Sequence, residues 1–143
     1  MLVKDGANLI FPSAAVTNDG RGAISFTISG DKDYPSAGFA GFDWNGASDA
    51  QYSARGKGPQ DGFSEYDPFF SDGSPRPRWG DYSATVADGS SIWTANEYIN
   101  QSCNFKQFLK PSPSSAFAFG TCGDTRGPLG NWSTRISQLE LGD

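Results

Sequence analysis

The chain has 143 residues, a formal charge of −5, eighteen glycines, nine prolines, two cysteines and no histidine. The missing histidine excludes the Ser-His-Asp triad, the Cys-His dyad, imidazole bases and His-based zinc sites. The acidic balance, with no basic run, excludes a partner held by its phosphate backbone. No apolar run reaches the ~18 residues of a membrane span, and 14% aromatics with 36% hydrophobic residues among so many turn formers describe short strands, an all-β domain.

The opening Met1-Leu2-Val3-Lys4-Asp5 is already polar and carries no signal-peptide pattern. Alternation predicts strands over Pro12 to Thr17 and Ala23 to Ser29, joined by Asn18-Asp19-Gly20-Arg21-Gly22, whose residues tolerate positive φ. A third strand is predicted over Ala37 to Asp43. Residues 45–77, rich in Gly, Ser, Asp and Pro, read as a long ordered loop with a short strand around Arg55 and a turn at Asp67-Pro68. Phe63, Tyr66, Phe69 and Phe70 are too dense there for a disordered linker.

Tyr82 to Ala87 and Ile92 to Ile99 read as strands around the turn Asp88-Gly89. Asn104 to Leu109 has helical spacing for about one and a half turns before Pro111 and Pro113 stop it. Phe117 to Thr121 and Trp132 to Leu141 are the last strands, with a bulge or a shorter strand expected in the final one because Ile136, Leu139 and Leu141 do not alternate cleanly. Cys103 and Cys122 are read as one disulfide, and with it an oxidising compartment; two buried thiols are the alternative. The sequons Asn100-Gln101-Ser102 and Asn131-Trp132-Ser133 are compatible with that compartment.

The Ser-Ala pairs at 13 and 83 and the Asp-Gly turns at 19 and 88 mark a hairpin recurring after about seventy residues. A small sheet of this kind cannot bury both faces alone, which suits a propeller blade. The expectation is a single all-β unit over residues 1–143, made of antiparallel β-propeller-like blades at about 10–75 and 76–143, too few to close a ring. A small β-sandwich is the alternative.

Arg78-Trp79-Gly80-Asp81-Tyr82-Ser83, Ile92-Trp93-Thr94-Ala95-Asn96-Glu97-Tyr98-Ile99 and Gly130-Asn131-Trp132-Ser133-Thr134-Arg135-Ile136 resemble the terminal blades of large secreted β-propeller proteins, distantly similar to sialidases and their BNR-repeat relatives. The resemblance covers the last part of the chain best, with a fainter version at Pro12 to Val16 and Tyr34 to Ala37. It implies a propeller and an extracellular or periplasmic setting, and it carries no reaction. The Asp-box of sialidases, Ser-x-Asp-x-Gly-x-Thr-Trp, is not matched, because Asp88 and Gly89 are adjacent here.

Carboxylates remain as catalytic candidates, since glycoside hydrolysis needs a pair roughly 5 to 10 Å apart. Asp81 and Glu97 flank the Asp88-Gly89 turn almost symmetrically, and Arg78 is within reach of both in sequence. The competing reading is an Arg-carboxylate bridge fixing the strand ends, with Trp79, Tyr82, Trp93 and Tyr98 packing between blades. Arg78, Trp79, Tyr82 and Arg126 are the candidate binding residues; a clamp on a substrate carboxylate would need Arg78, Arg126 and Arg135 to converge. Trp44, Tyr52, Phe63, Tyr66 and Trp79 are stacking candidates for sugar rings, and Asp31, Asp33, Asp43 and Asp49 are candidate calcium ligands without an EF-hand loop. The leading expectation is a non-catalytic structural or interaction module, partnered by a glycan or further blades and neither nucleic-acid-bound nor membrane-inserted. A sialidase-like hydrolase and a carbohydrate-binding module are the alternatives.

Overall fold

The computed structural model describes residues 1–60, 80–101, 103, 105–108, 110–112, 115–119, 122 and 130–140. Strands β1 (Ala7–Val16) and β2 (Gly22–Gly30) form an antiparallel hairpin. Its turn closes through Thr17 N to the Arg21 carbonyl (2.8 Å) and Gly20 N to the Thr17 carbonyl (3.0 Å), with Gly20 at φ 84°. Glycine meets that positive φ without a Cβ clash. Arg21 Nε and Nη2 donate to Asp19 Oδ2 at 2.8 and 2.6 Å, and the Thr17 hydroxyl also faces the Asp19 carboxylate. These hydrogen bonds, Arg21's first and Thr17's second, hold the Asp19 carboxyl well below the usual carboxylate range.

β1 begins five residues before the predicted start at Pro12. The register breaks between Ile10 and Ser13, where Phe11 adopts φ 54° and Pro12 has no N–H to offer a ladder. β3 (Asp33–Asp43) pairs with β2, and its Pro35 falls in the irregularity opposite Ile28 to Gly30. β4 (Gly46–Ala47) and β5 (Gln51–Ala54) both add to β3. Together these strands make sheet A.

One face of sheet A carries the apolar cluster of Phe26, Ile28 and Ala40, covered by Leu2, Leu9, Ile24 and Tyr52. Gly38 makes that packing fit: a Cβ there would lie 2.6 Å from Ile28 Cδ1 and 2.9 Å from Phe26 Cε2. Lys4 lies 4.8 Å and Arg55 3.6 Å from the centre of the Tyr52 ring, while the Tyr52 hydroxyl donates to Asp33.

β6 (Ala84–Asp88) and β7 (Ser91–Ile99) form the second hairpin, turning at Gly89 with φ 61°. The chain then makes an excursion over residues 100–131, holding α1 (Phe105–Phe108), β8 (Pro111–Ser112) and β9 (Ser115–Phe119), before β10 (Trp132–Glu140) returns to pair with β7. β10-β7-β6 is sheet B, and β8 pairs with β9. The base of the excursion is closed by Asn100 N (2.9 Å) and Gln101 N (3.2 Å), both donating to the Asn131 carbonyl. Cys103 and Cys122 are disulfide-bonded, with Cα atoms 6.2 Å apart. Asn131 is 1% exposed and its Nδ2 donates to the Pro59 carbonyl (2.9 Å), so its sequon is closed in the folded chain.

The two larger sheets stack: β6 lies against β1, β7 against β2 and β3, and β10 against β5. Small and polar side chains fill the interlayer, with Ala23, Ser25, Thr27 and Ala37 from sheet A meeting Ile92, Thr94 and Asn96 from sheet B. Thr85 Oγ1 is 2.7 Å from Ser25 Oγ and donates to the Ser13 carbonyl (3.0 Å); Ser83 Oγ donates to the Phe11 carbonyl (2.7 Å). The buried Asn96 amide has no hydrogen-bond partner at either atom. The fold is therefore all-β and antiparallel, and the sheets stay open: among the described residues no barrel or ring closes. Stacking of two open antiparallel sheets is common to neighbouring blades and to sandwiches.

Candidate binding face

Alternation along β7 turns Ile92, Thr94 and Asn96 toward sheet A and leaves Ser91, Trp93, Ala95 and Glu97 on the outside. Register sets Asp88, Val86 and Ala84 of β6 opposite Ser91, Trp93 and Ala95. On the other side, β10 places Glu140, Gln138, Ile136 and Thr134 opposite Ser91, Trp93, Ala95 and Glu97. Successive rows are therefore Asp88, Ser91, Glu140; Val86, Trp93, Gln138; and Ala84, Ala95, Ile136. Beyond them stand Glu97 and Thr134, joined by Tyr82 from the segment entering β6.

This face is open. Val86 is 60% exposed, Trp93 41%, Ile136 63% and Tyr82 84%. Scattered apolar residues on a surface need no explanation, but four that share one sheet face form a patch. Its polar members are already ordered: Gln138 Nε2 donates to Glu140 Oε1 (2.7 Å) and Ser91 Oγ (3.1 Å), and Ser91 Oγ donates to Glu140 Oε1 (3.0 Å). Asp88 and Glu140 give the rows around Trp93 their charge, and those rows carry no lysine or arginine.

The small side chains of Ala84 and Ala95 leave a depression of about 240 Å³ bordered by Tyr82, Ser83, Glu97 and Thr134. That is below the ~300 to 1,000 Å³ of pockets that enclose a small molecule. A larger depression, about 410 Å³, lies by Arg21, Phe42, Asp43, Asn45 and Ser48. Its polar groups serve the fold: Arg21 holds Asp19, Asp43 accepts from Asn45 N (2.7 Å), and Ser48 Oγ accepts from Gly41 N (3.1 Å).

Glu97 and Tyr82 thus come together at the depression, and Asp81 is exposed beside them. The β6–β7 ladder stops at Ala84 opposite Ala95, and its continuation would put Tyr82 rather than Asp81 across from Glu97. A Cβ at Gly80, φ 71°, would sit 4.0 Å from Glu97 Oε2, which places Glu97 against the entry to β6. Arg78, Trp79 and Arg126 lie outside the described residues, as do Phe63 and Tyr66. Arg135 pairs in register with Asn96, on the side of sheet B opposite Trp93. Of the acidic calcium candidates, Asp33 accepts from Tyr52 and pairs with Arg55 Nη1 at 3.6 Å, and Asp43 holds the Asn45 turn. Trp44 is exposed at that turn, and Tyr52 is packed into sheet A.

In the sequence Trp93 reads as a packing residue and Ile136 as part of an irregular last strand, and neither Val86 nor Gln138 stands out. Only the register of three strands places them side by side, and their alternation in sequence is the one signal that bears on it. No protein-family model, curated protein or solved structure matches the chain. Among the described residues no helix is long and apolar enough to cross a membrane.

Proposed function

We propose that this chain is a non-catalytic interaction module of a secreted protein, and that it binds through the outer face of sheet B. The observation that carries this reading is the patch of Val86, Trp93 and Ile136 held on paired strands, with Tyr82 on the segment entering β6, all open to solvent. Strands fix the spacing of Val86, Trp93 and Ile136 in advance, so binding orders little there that is not already ordered. The shallow depression at Ala84 and Ala95 suits a surface contact better than an enclosed reaction. The disulfide suits an oxidising compartment.

A neighbouring blade is the occupant this face would have if the chain ends a longer propeller. Against it stands the Ser91, Gln138 and Glu140 network, because a sheet laid over the face would take the Glu140 carboxylate out of water at a cost of several kcal/mol. Hydroxyl-radical footprinting checks the binding reading: Trp93, Val86 and Ile136 should be protected in the native secreted material relative to the isolated chain. Equal labelling in both would remove the proposal. Turnover of a chromogenic glycoside that disappears in Glu97→Gln would replace it with the hydrolase reading.

A further inference from the structure

Resting on that binding reading, we infer that the face takes a neutral oligosaccharide, laid along β7 from Trp93 toward Tyr82. Three features select this ligand. Trp93 and Tyr82 present aromatic surface to solvent at the two ends of a strip whose middle is Ala84, Ala95 and Ile136. From Trp93 to the Glu97 row the strand advances about 14 Å at ~3.4 Å per residue. A chain of several sugars spans that distance, and a single ring does not. The C–H faces of pyranoses are apolar enough to lie on aromatic rings, while their edges carry hydroxyls.

Hydrogen-bond inventory decides the polarity of the ligand. Gln138 spends both Nε2 protons on Ser91 and Glu140, so its outward capacity is the carbonyl oxygen. Glu140 Oε2 and the Asp88 carboxylate are acceptors as well. The rim therefore offers acceptors and negative charge beside an aromatic, which favours a ligand rich in hydroxyl donors and without carboxylates of its own. A uronic- or sialic-acid polymer would bring like charge to Asp88 and Glu140. A cationic peptide satisfies the charge, yet Trp93 has Val86 and Gln138 as its cross-strand neighbours and not the further aromatics of a cation cage.

Isothermal titration of the whole chain tests this with defined probes: cello-, manno- and xylo-oligosaccharides of increasing length, trigalacturonate and hexalysine. One neutral series should bind, with affinity rising until the oligomer reaches both aromatics. Trp93→Ala should weaken it about tenfold. Gln138→Ala, a surface change that leaves the fold intact, should weaken it several-fold. Failure of every neutral series to bind, tighter binding of trigalacturonate or hexalysine, or affinity indifferent to both substitutions would overturn the inference. Footprint protection of Trp93 without saccharide binding would reject the carbohydrate and leave the binding face standing; absence of both would reject the two together.

Discussion

Gly38→Ala tests the core of sheet A through a single methyl group. Its Cβ would lie 2.6 Å from Ile28 Cδ1, 2.8 Å from Ile28 Cγ1 and 2.9 Å from Phe26 Cε2, closer than carbon atoms pack. Phe26 and Ile28 are fully buried under Leu2, Leu9 and Tyr52, so neither yields without moving its cover. Overpacking of this kind costs about 1 to 3 kcal/mol, and removing a glycine from the unfolded chain returns about 0.4 to 1 kcal/mol. The net expectation is a loss of about 1 to 2 kcal/mol, or roughly 3 to 8 °C in Tm for a domain of this size. Thermal and urea unfolding monitored by near-UV circular dichroism measure it. Adding Ile28→Val removes the nearest atom, so the double variant should be more stable than the two single losses predict, by about 1 kcal/mol of coupling. Strict additivity, or an unchanged Tm in Gly38→Ala alone, would refute the steric argument.

Thr85→Val keeps the side-chain shape and removes the hydroxyl that joins the sheets through Ser25 and the Ser13 carbonyl; urea unfolding should show a loss of about 1 to 3 kcal/mol, and Thr85→Ser should retain most of the stability. Asp19 ionises at lower pH in the folded chain than in the unfolded one, so its contribution is complete above about pH 5 and is lost as pH falls through the unfolded value toward the folded one. The Tm difference between the wild-type chain and Asp19→Asn should accordingly be constant from neutral pH to about pH 5 and shrink in stronger acid. Replacing both Cys103 and Cys122 by serine should cost roughly 3 kcal/mol in the chain-entropy account. Amide exchange should then show β7 still protected, since Asn100 and Gln101 bond to Asn131 independently of the disulfide.

Sequence made the hairpins legible because their turns demand particular residues. Gly20 and Gly89 both adopt positive φ, and the strands flanking them, β2 and β7, are close to their predicted limits. Proline misled at two points: Pro12 looked like a beginning and lies in a bulge, while Pro35 hid the first residues of β3 by sitting at an irregularity. The wide face of sheet B was harder to see. In Ile92-Trp93-Thr94 the two large apolar neighbours point to opposite sides, and nothing local says which side a second sheet will cover. Likewise, counting outward from Asp88-Gly89 brings Asp81 and Glu97 near one another, but the register of the ladder, continued past Ala84 and Ala95, sets Tyr82 and not Asp81 across from Glu97.

Where the excursion between β7 and β10 leaves and re-enters sheet B, it is tied by the Asn131 carbonyl shared by Asn100 and Gln101. That tie sits at the base of the excursion and does not depend on the length of chain carried beyond it. Because the cost of closing a loop grows only with the logarithm of its length, the stretch between Cys103 and Cys122 is a natural place to graft a foreign peptide. A graft there would lie outside the three strands that carry the rows from Asp88 to Thr134, leaving that surface as a fixed platform beside an exchangeable segment.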